Sequence, residues 1–382
     1  MAIKYDLLLK GGEVIDPSQN LRARCDVAFH AGAVSVLAER IPPEEARESI
    51  DIAGKLVTPG LIDIHGHFFH RYQPRWGHPD AFCLPTGVTT AVDAGSAGWS
   101  VFPALRDYII RQSETRLFAF VHLSSVGLNR ESTNRGELVD LQLVNVEKTA
   151  RCILDNPEYV VGLKVRIDSS ATGVENAVPA LERARQVADE TGCRIMAHVS
   201  RTPIPLGRLL KFLRRGDIVT HVFNGYENNA LDAQGKVRPE VWEARQEGIL
   251  LDAGCAQVHF DVNVCRAAVE QGLLPDTLST DGSRLEHSYS VPDVMSMFLA
   301  LGMSLEEVVA GATNRAASAI GKADLLASLR VGAAGDAAVL ALEDGNFAFD
   351  DRAGNVLRCR QRLVSVLTVR RGVRWRKPII IP

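Results

Sequence analysis

No run of about 18 apolar residues occurs in the chain, so nothing in it reads as a membrane-spanning helix. The opening MAIKYDLLLKGGEV lacks an apolar stretch followed by a small-residue cleavage site, and no signal peptide is expected. Basic residues are not in excess. Lys and Arg number 43 against 46 Asp and Glu, a formal net charge of −3, which argues against nucleic acid as a partner. The seven cysteines, Cys25, Cys83, Cys152, Cys193, Cys255, Cys265 and Cys359, are scattered and show no CxxC spacing. That pattern excludes a zinc knuckle or a disulfide framework and reads as reduced thiols, mostly small core residues, in a cytoplasmic protein. No internal repeat and no low-complexity tract is present.

What is present is length and apolar content. A chain of 382 residues, 46% hydrophobic, suits a barrel of roughly 250 residues plus an appendage. The two ends read as short strands with turns. Tyr5–Leu9, Glu13–Ile15, Asp26–Phe29 and Ala33–Leu37 lie at one end, broken at Gly11-Gly12, Asp16-Pro17 and Ala31-Gly32. Asp336–Leu342, Phe347–Phe349, Val364–Arg370 and Val373–Trp375 lie at the other. Between them strands alternate with helical patterns, for example Val178–Glu190, Leu206–Leu213 and Val262–Gln271, as parallel βα units do. The strand candidates are Gly60–Ile64, Thr89–Ala94, Leu117–Leu123, Val160–Val165, Arg194–His198, Ile218–His221, Ile249–Leu251 and Thr277–Thr280. Eight such units favour a closed (β/α)8 TIM barrel, an α/β fold, over an open doubly wound sheet. The expected organisation is a barrel over 58–322, with residues 1–57 and 323–382 combining into a small β-sandwich.

Five polar sites fall at the C-terminal ends of these strands, where barrel active sites are built. His65-Gly66-His67 follows the apolar run Leu61–Ile64. Residues two apart on a strand point the same way, so both imidazoles can face the axis and chelate one ion. Lys164 interrupts the apolar strand Val161–Val165, where a lysine is costly unless paired. A free ammonium cannot bind metal, whereas a carbamylated lysine is anionic and offers two oxygens. His198, His221 and Asp281 end the strands that precede them. Each has a plainer reading alone: a core or surface histidine, a lysine reaching water along its stem, an aspartate capping a helix. Their joint placement on strands one, four, five, six and eight is what points to a metal site.

The order HxH–Lys–His–His–Asp, entered through Thr58-Pro59-Gly60-Leu61-Ile62-Asp63-Ile64-His65-Gly66-His67, resembles the amidohydrolase superfamily over nearly the whole chain. Gly87-Val88-Thr89-Thr90, Asp93-Ala94-Gly95-Ser96-Ala97-Gly98, Gly162–Arg166, His221-Val222-Phe223-Asn224-Gly225 and Ser279-Thr280-Asp281 are similar to its dihydroorotase-like deacetylase branch. The resemblance implies that His65, His67 and Asp281 bind the more buried of two divalent ions. It gives His198 and His221 to the more exposed ion, and makes carbamylated Lys164 the bridge. Zinc suits the His-rich donors, and manganese or cobalt would serve. The chain departs from the branch at Gly254-Cys255-Ala256, where Gly-His-Gly is usual. It departs again at Gly282-Ser283-Arg284, where a histidine is usual and His287 stands further on.

The implied reaction is hydrolysis of an amide or ester by metal-activated water, with Asp281 as catalytic acid–base. The first expectation is a small acylated substrate, an N-acyl amino acid or acylated hydroxy acid. A cyclic amide hydrolase of dihydroorotase or hydantoinase type is the alternative. His70, Arg166, Arg201, Cys255 and Arg284 are the candidate substrate contacts, the arginines as clamps for a carboxylate. No partner beyond a small molecule is expected, and homo-oligomerisation is left open.

Overall fold

The computed structural model describes residues 3–129, 136–284, 286 and 288–376, so His287 lies outside the described residues. Two sheets organise the chain. The first is purely parallel and joins seven strands in sequence order, with each successive strand beside the last. They are β6 (Leu61–Gly66), β7 (Val88–Gly98), β8 (Arg116–His122), β9 (Val160–Ile167), β10 (Arg194–Val199), β11 (Ile218–Thr220) and β12 (Leu250–Asp252). Sequential parallel neighbours need a crossover each, and helices such as Val146–Leu154, Ala177–Thr191 and Pro239–Glu247 supply them. Covered on both faces, the strands are apolar almost throughout, and all of β7 is buried.

The eighth expected strand, Thr277–Thr280, does not form a regular ladder. It meets β12 at a parallel bridge between Asp252 and Thr277, and Gly282 bridges to Gly66 of β6. The backbone N–H of Cys255 donates to Ser279 (2.9 Å) and that of Asp281 to His65 (2.7 Å), so this segment is bonded to both edges of the curled sheet. Side chains occupy the remaining ladder positions. Asp63 Oδ1 takes the Thr280 N–H at 3.2 Å, and Ser279 Oγ takes the Gly254 N–H at 3.1 Å.

The second sheet draws on both ends of the chain. β1 (Tyr5–Asp16), β2 (Leu21–His30), β3 (Ala33–Ala38), β4 (Ala46–Asp51) and β5 (Leu56–Pro59) join β13 (Ala337–Asp350), β14 (Val356–Arg370) and β15 (Val373–Arg374) in one eight-stranded sheet. Two breaks expected from the sequence are bulges inside longer strands. Gly11-Gly12 falls in a register shift of β1, with Gly11 at φ +73° and its N–H on Asp26 Oδ1. Asp344–Phe347 is a second shift, within the β13–β14 hairpin. A bulge keeps the strand running while leaving one residue unpaired, which the local composition mimics as a turn.

The β13–β14 hairpin reaches the mouth of the parallel sheet. At its tip, Asp351 Oδ2 accepts the Val262 N–H at 3.0 Å, the Arg352 N–H donates to the Gln257 carbonyl, and Tyr289 Oη donates to the Asp350 carbonyl. No helix among the described residues is long and apolar enough to cross a membrane.

Candidate active site

The C-terminal ends of β6, β9, β10 and β11 and the segment after Ser279 bring His65, His67, Lys164, His198, His221 and Asp281 together. Asp281 lies at the centre: Oδ1 is 3.0 Å from His67 Nε2 and 3.4 Å from His65 Nε2, and Oδ2 is 3.7 Å from His221 Nε2. His65 Nε2 also faces Lys164 Nζ at 2.9 Å. His221 and Asp281 both hold positive φ, 69° and 50°, a conformation that non-glycine residues adopt at a cost and that is concentrated at functional sites.

Hydrogen bonds beneath the ring fix which nitrogen of His221 and of His65 points inward. His221 Nδ1 lies 2.8 Å from the Gly254 carbonyl, which only accepts, so Nδ1 carries the proton and Nε2 presents a lone pair. Nε2 is buried and has no hydrogen-bond partner among the described residues. Thr220 Oγ1 donates to Asp252 Oδ2 (2.8 Å), so His65 Nδ1 must donate to Thr220 Oγ1 (2.9 Å), again leaving Nε2 as the inward lone pair. Holding the outer ring nitrogen in this way is how proteins prepare histidine for metal. Two glycines make room. A Cβ on Gly254 (φ +53°) would stand 2.5 Å from His221 Nδ1, and one on Gly95 (φ +87°) 2.7 Å from Lys164 Cβ.

A second layer is saturated. Asp252 accepts from Thr277, Ser279 and Thr220; Asp63 accepts from Thr280 Oγ1 at 2.6 Å; Asp93 accepts the N–H groups of Phe68 and Ser96. Burial pushes Asp63 up to about 7 and Lys164 down to about 7. Burial likewise holds His198 and His221 well below the usual imidazole range, which keeps them neutral and able to coordinate. Burial works against ionisation of Asp281, but His65, His67 and His221 outweigh it and hold the carboxyl well below its ordinary range.

The ring floors a cavity of about 560 Å³, walled by Trp76, Leu128, Arg166, Val258, His259 and Arg284 among others. Of the residues expected to contact substrate, Arg166 and Arg284 line it. Arg166 Nη1 donates to the buried Glu137 Oε1 at 2.9 Å, and Arg284 Nη2 donates to the Pro74 carbonyl. The others do not. Arg201 turns away to Asp168 Oδ2 at 3.2 Å. Cys255 is 1% exposed in the hydrophobic core, where burial raises its thiol well above the ordinary range. His70 bonds the Trp76 carbonyl through Nδ1, and Trp76 itself stacks on His67 at 5.4 Å.

Three site residues escaped the sequence reading. His259 packs against His198 and His221, with ring centroids 4.8 and 4.3 Å away. It lies in the loop after β12, where nothing periodic marks it. His122 and Glu137 stand behind Arg166, His122 Nε2 lying 3.8 Å from Glu137 Oε1. His122 ends an apolar strand as His198 does, and that signal was available.

The profile of the Amidohydrolase family matches residues 56–359. A deacetylase of Agrobacterium fabrum is 33% identical over 334 residues, covering 86% of this chain and 81% of that protein. The crystal structure of an adenine deaminase superposes with a TM-score of 0.89 at 26% identity, over 98% of this chain and 100% of that one. A dihydroorotase crystal structure gives 0.87 at 29% identity, over 97% of each chain. The chain therefore belongs to the amidohydrolase family. It is a hydrolase acting on carbon–nitrogen bonds, of a family that is generally metal-dependent, and its His/Asp clusters are able to hold a metal.

Proposed function

We propose that this chain hydrolyses the acyl bond of a small acylated acid, an N-acyl amino acid or an acylated hydroxy acid, with two divalent ions. The observation that carries the reading is the convergence of His65, His67 and His221 ring nitrogens on Asp281 beneath a cavity walled by Arg166. His65, His67 and Asp281 would hold one ion and His198 and His221 the other, with Lys164, if carbamylated, supplying oxygens to both. Zinc is the first choice for that set, with manganese or cobalt able to replace it. When bound, such ions polarise a carbonyl oxygen and lower the pKa of a water toward neutrality. Asp281 takes the proton of the attacking water and passes it to the departing amine or alcohol. Arg166, steadied by Glu137, clamps the substrate carboxylate. Trp76, Leu128 and Val258 give the apolar part of the substrate a dry wall.

The likeness to a dihydroorotase structure supports a second reading, opening of a cyclic amide, on the same residues. The bonds of Thr277–Thr280 to both β12 and β6 support a closed eight-stranded barrel over 58–322, and the two-ended sheet a small sandwich beside it. The free thiols suit the cytoplasm. The test is a screen of N-acetyl-, N-formyl- and N-succinyl-amino acids of both hands against hydantoins and cyclic imides, with metal content measured on the same preparation. Turnover of acyclic acids with about two equivalents of metal supports the first reading. Turnover of rings alone supports the second, and full activity without metal overturns both.

A further inference from the structure

We infer that His259 is a metal ligand, completing a three-histidine site with His198 and His221 that the HxH–Lys–His–His–Asp order does not contain. The inference rests on the metal-hydrolase reading and adds a donor to it. One ring nitrogen from each of the three side chains lies within 4.8 Å of the others, close enough for one ion after small ring rotations. The three rings form a nearly even triangle, with centroid separations of 4.4, 4.8 and 4.3 Å. His221 Nε2 is buried there with no hydrogen-bond partner among the described residues, and His259 Nε2 stands 3.8 Å from Asp281 Oδ2, the oxygen that His221 Nε2 faces at 3.7 Å. An imidazole left unpaired in the interior is costly unless something else satisfies it, and a cation held by three lone pairs does so.

His259 is held there by its backbone. Its N–H donates to the Ala256 carbonyl at 2.8 Å, and Ala256 turns back on Gly254. On its flanks Asp261 N–H bonds the Phe223 carbonyl, two residues beyond His221, and Gln257 is fastened to the hairpin tip through Arg352. The loop is thus anchored on the strand end that carries His221 and on the terminal sheet.

The experiment compares the full-length protein with His259→Ala and His259→Gln, each loaded with zinc and separately with cobalt. Chelator competition and the cobalt absorption spectrum are the readouts, with thermal unfolding as the check on folding. If His259 is a ligand, both variants release about one equivalent of metal at least tenfold more readily, since loss even of an outer-layer partner costs about 10–100-fold. Their cobalt spectra also change. Unaltered metal affinity and spectrum in a folded variant, with a raised KM, would make His259 a substrate contact and overturn the inference while leaving the hydrolase intact. A wild-type protein that binds no zinc would remove both. If His259→Ala does not fold, His259→Gln, which keeps bulk and polarity, decides between these outcomes.

Discussion

The two ends of the parallel strands handle buried charge in opposite ways. At their N-terminal ends Asp336, at the start of the terminal hairpin, accepts from Arg116 Nη1 (2.7 Å), Arg370 Nη1 (2.9 Å) and the Arg371 N–H (2.9 Å). Arg370 spends its Nε on the Glu114 carbonyl. Each charge there meets its opposite, and the cluster rivets the terminal sheet to β8. At the C-terminal ends, four imidazoles crowd one carboxylate, while His221 Nε2, His259 Nδ1, His122 Nε2 and Glu137 Oε2 are buried with no hydrogen-bond partner among the described residues. An arrangement that leaves buried polar atoms without hydrogen bonds, at the opposite strand ends from one that pairs them, separates the chemistry from the scaffold.

The largest effect should come from the centre of the mouth. Asp281→Asn keeps the shape and one ligating oxygen but cannot carry the proton, so kcat should fall by about 10²–10⁴-fold. Metal content and unfolding temperature should stay close to wild type. A fall below tenfold at full occupancy would mean that another group moves the proton, and His70 or His287 would be examined next.

The rivet should respond in stability and not in turnover. Asp336→Ala removes the partner of the buried Arg370 and of the part-buried Arg116 and should cost about 3–5 kcal/mol, read by denaturant unfolding, with kcat per folded molecule unchanged. Its pH dependence has a definite sign. Burial opposes ionisation of Asp336, yet Arg370 and Arg116 hold its carboxyl below the ordinary value of 3.8. The stabilisation is therefore complete above about pH 4 and is lost as pH falls through the lower folded value. The variant should show a shallower acid limb than the wild type. A parallel acid limb would assign the acid sensitivity to other carboxylates.

Gly254→Ala tests whether the strain of the mouth serves the metal. The new Cβ would press on His221 Nδ1 and would have to accept positive φ, at about 1–2 kcal/mol. The tilt of His221 should weaken one ion by about 10–100-fold, measured by chelator competition. Unchanged affinity would show that the ring finds an equivalent seat.

The smallest effect separates two arginines that look alike in sequence. Arg201→Ala should leave KM within about twofold, because the side chain is spent on Asp168. Arg166→Ala should raise KM for acidic substrates by about tenfold or more, the loss of one charge-assisted hydrogen bond. Equal effects from the two would contradict the orientation of Arg201.

These contrasts show what the chain discloses in one dimension. Seven of the eight expected strands form the parallel sheet, and they were legible because buried parallel strands are unbroken apolar runs ended by a polar residue. His65, His67, His198 and His221 were legible for the same reason, since each sits where such a run stops, whereas Lys164 showed as a charge inside an apolar strand and Asp281 by its place after the last strand candidate. Arg201 misled because nearness to a strand end does not fix the direction of a loop side chain. Cys255 misled because it holds the position of a family histidine, while the histidine that reaches the mouth is His259, four residues on. Distance along a loop is not distance across a mouth, and only the turn at Gly254–Ala256 makes the two agree.

The tip of the β13–β14 hairpin gives the molecule a place to change cheaply. Asp351 and Arg352 are fastened to Val262 and Gln257, on either side of His259, from about 90 residues further along the chain. Hairpin tips absorb insertions and deletions that strands cannot, since no ladder register depends on them. A residue gained or lost between Asp350 and Val356 would move the His259 loop while every strand-borne ligand stayed in place. Selection on substrate preference can therefore act on the far end of the chain, in a segment that never touches the substrate.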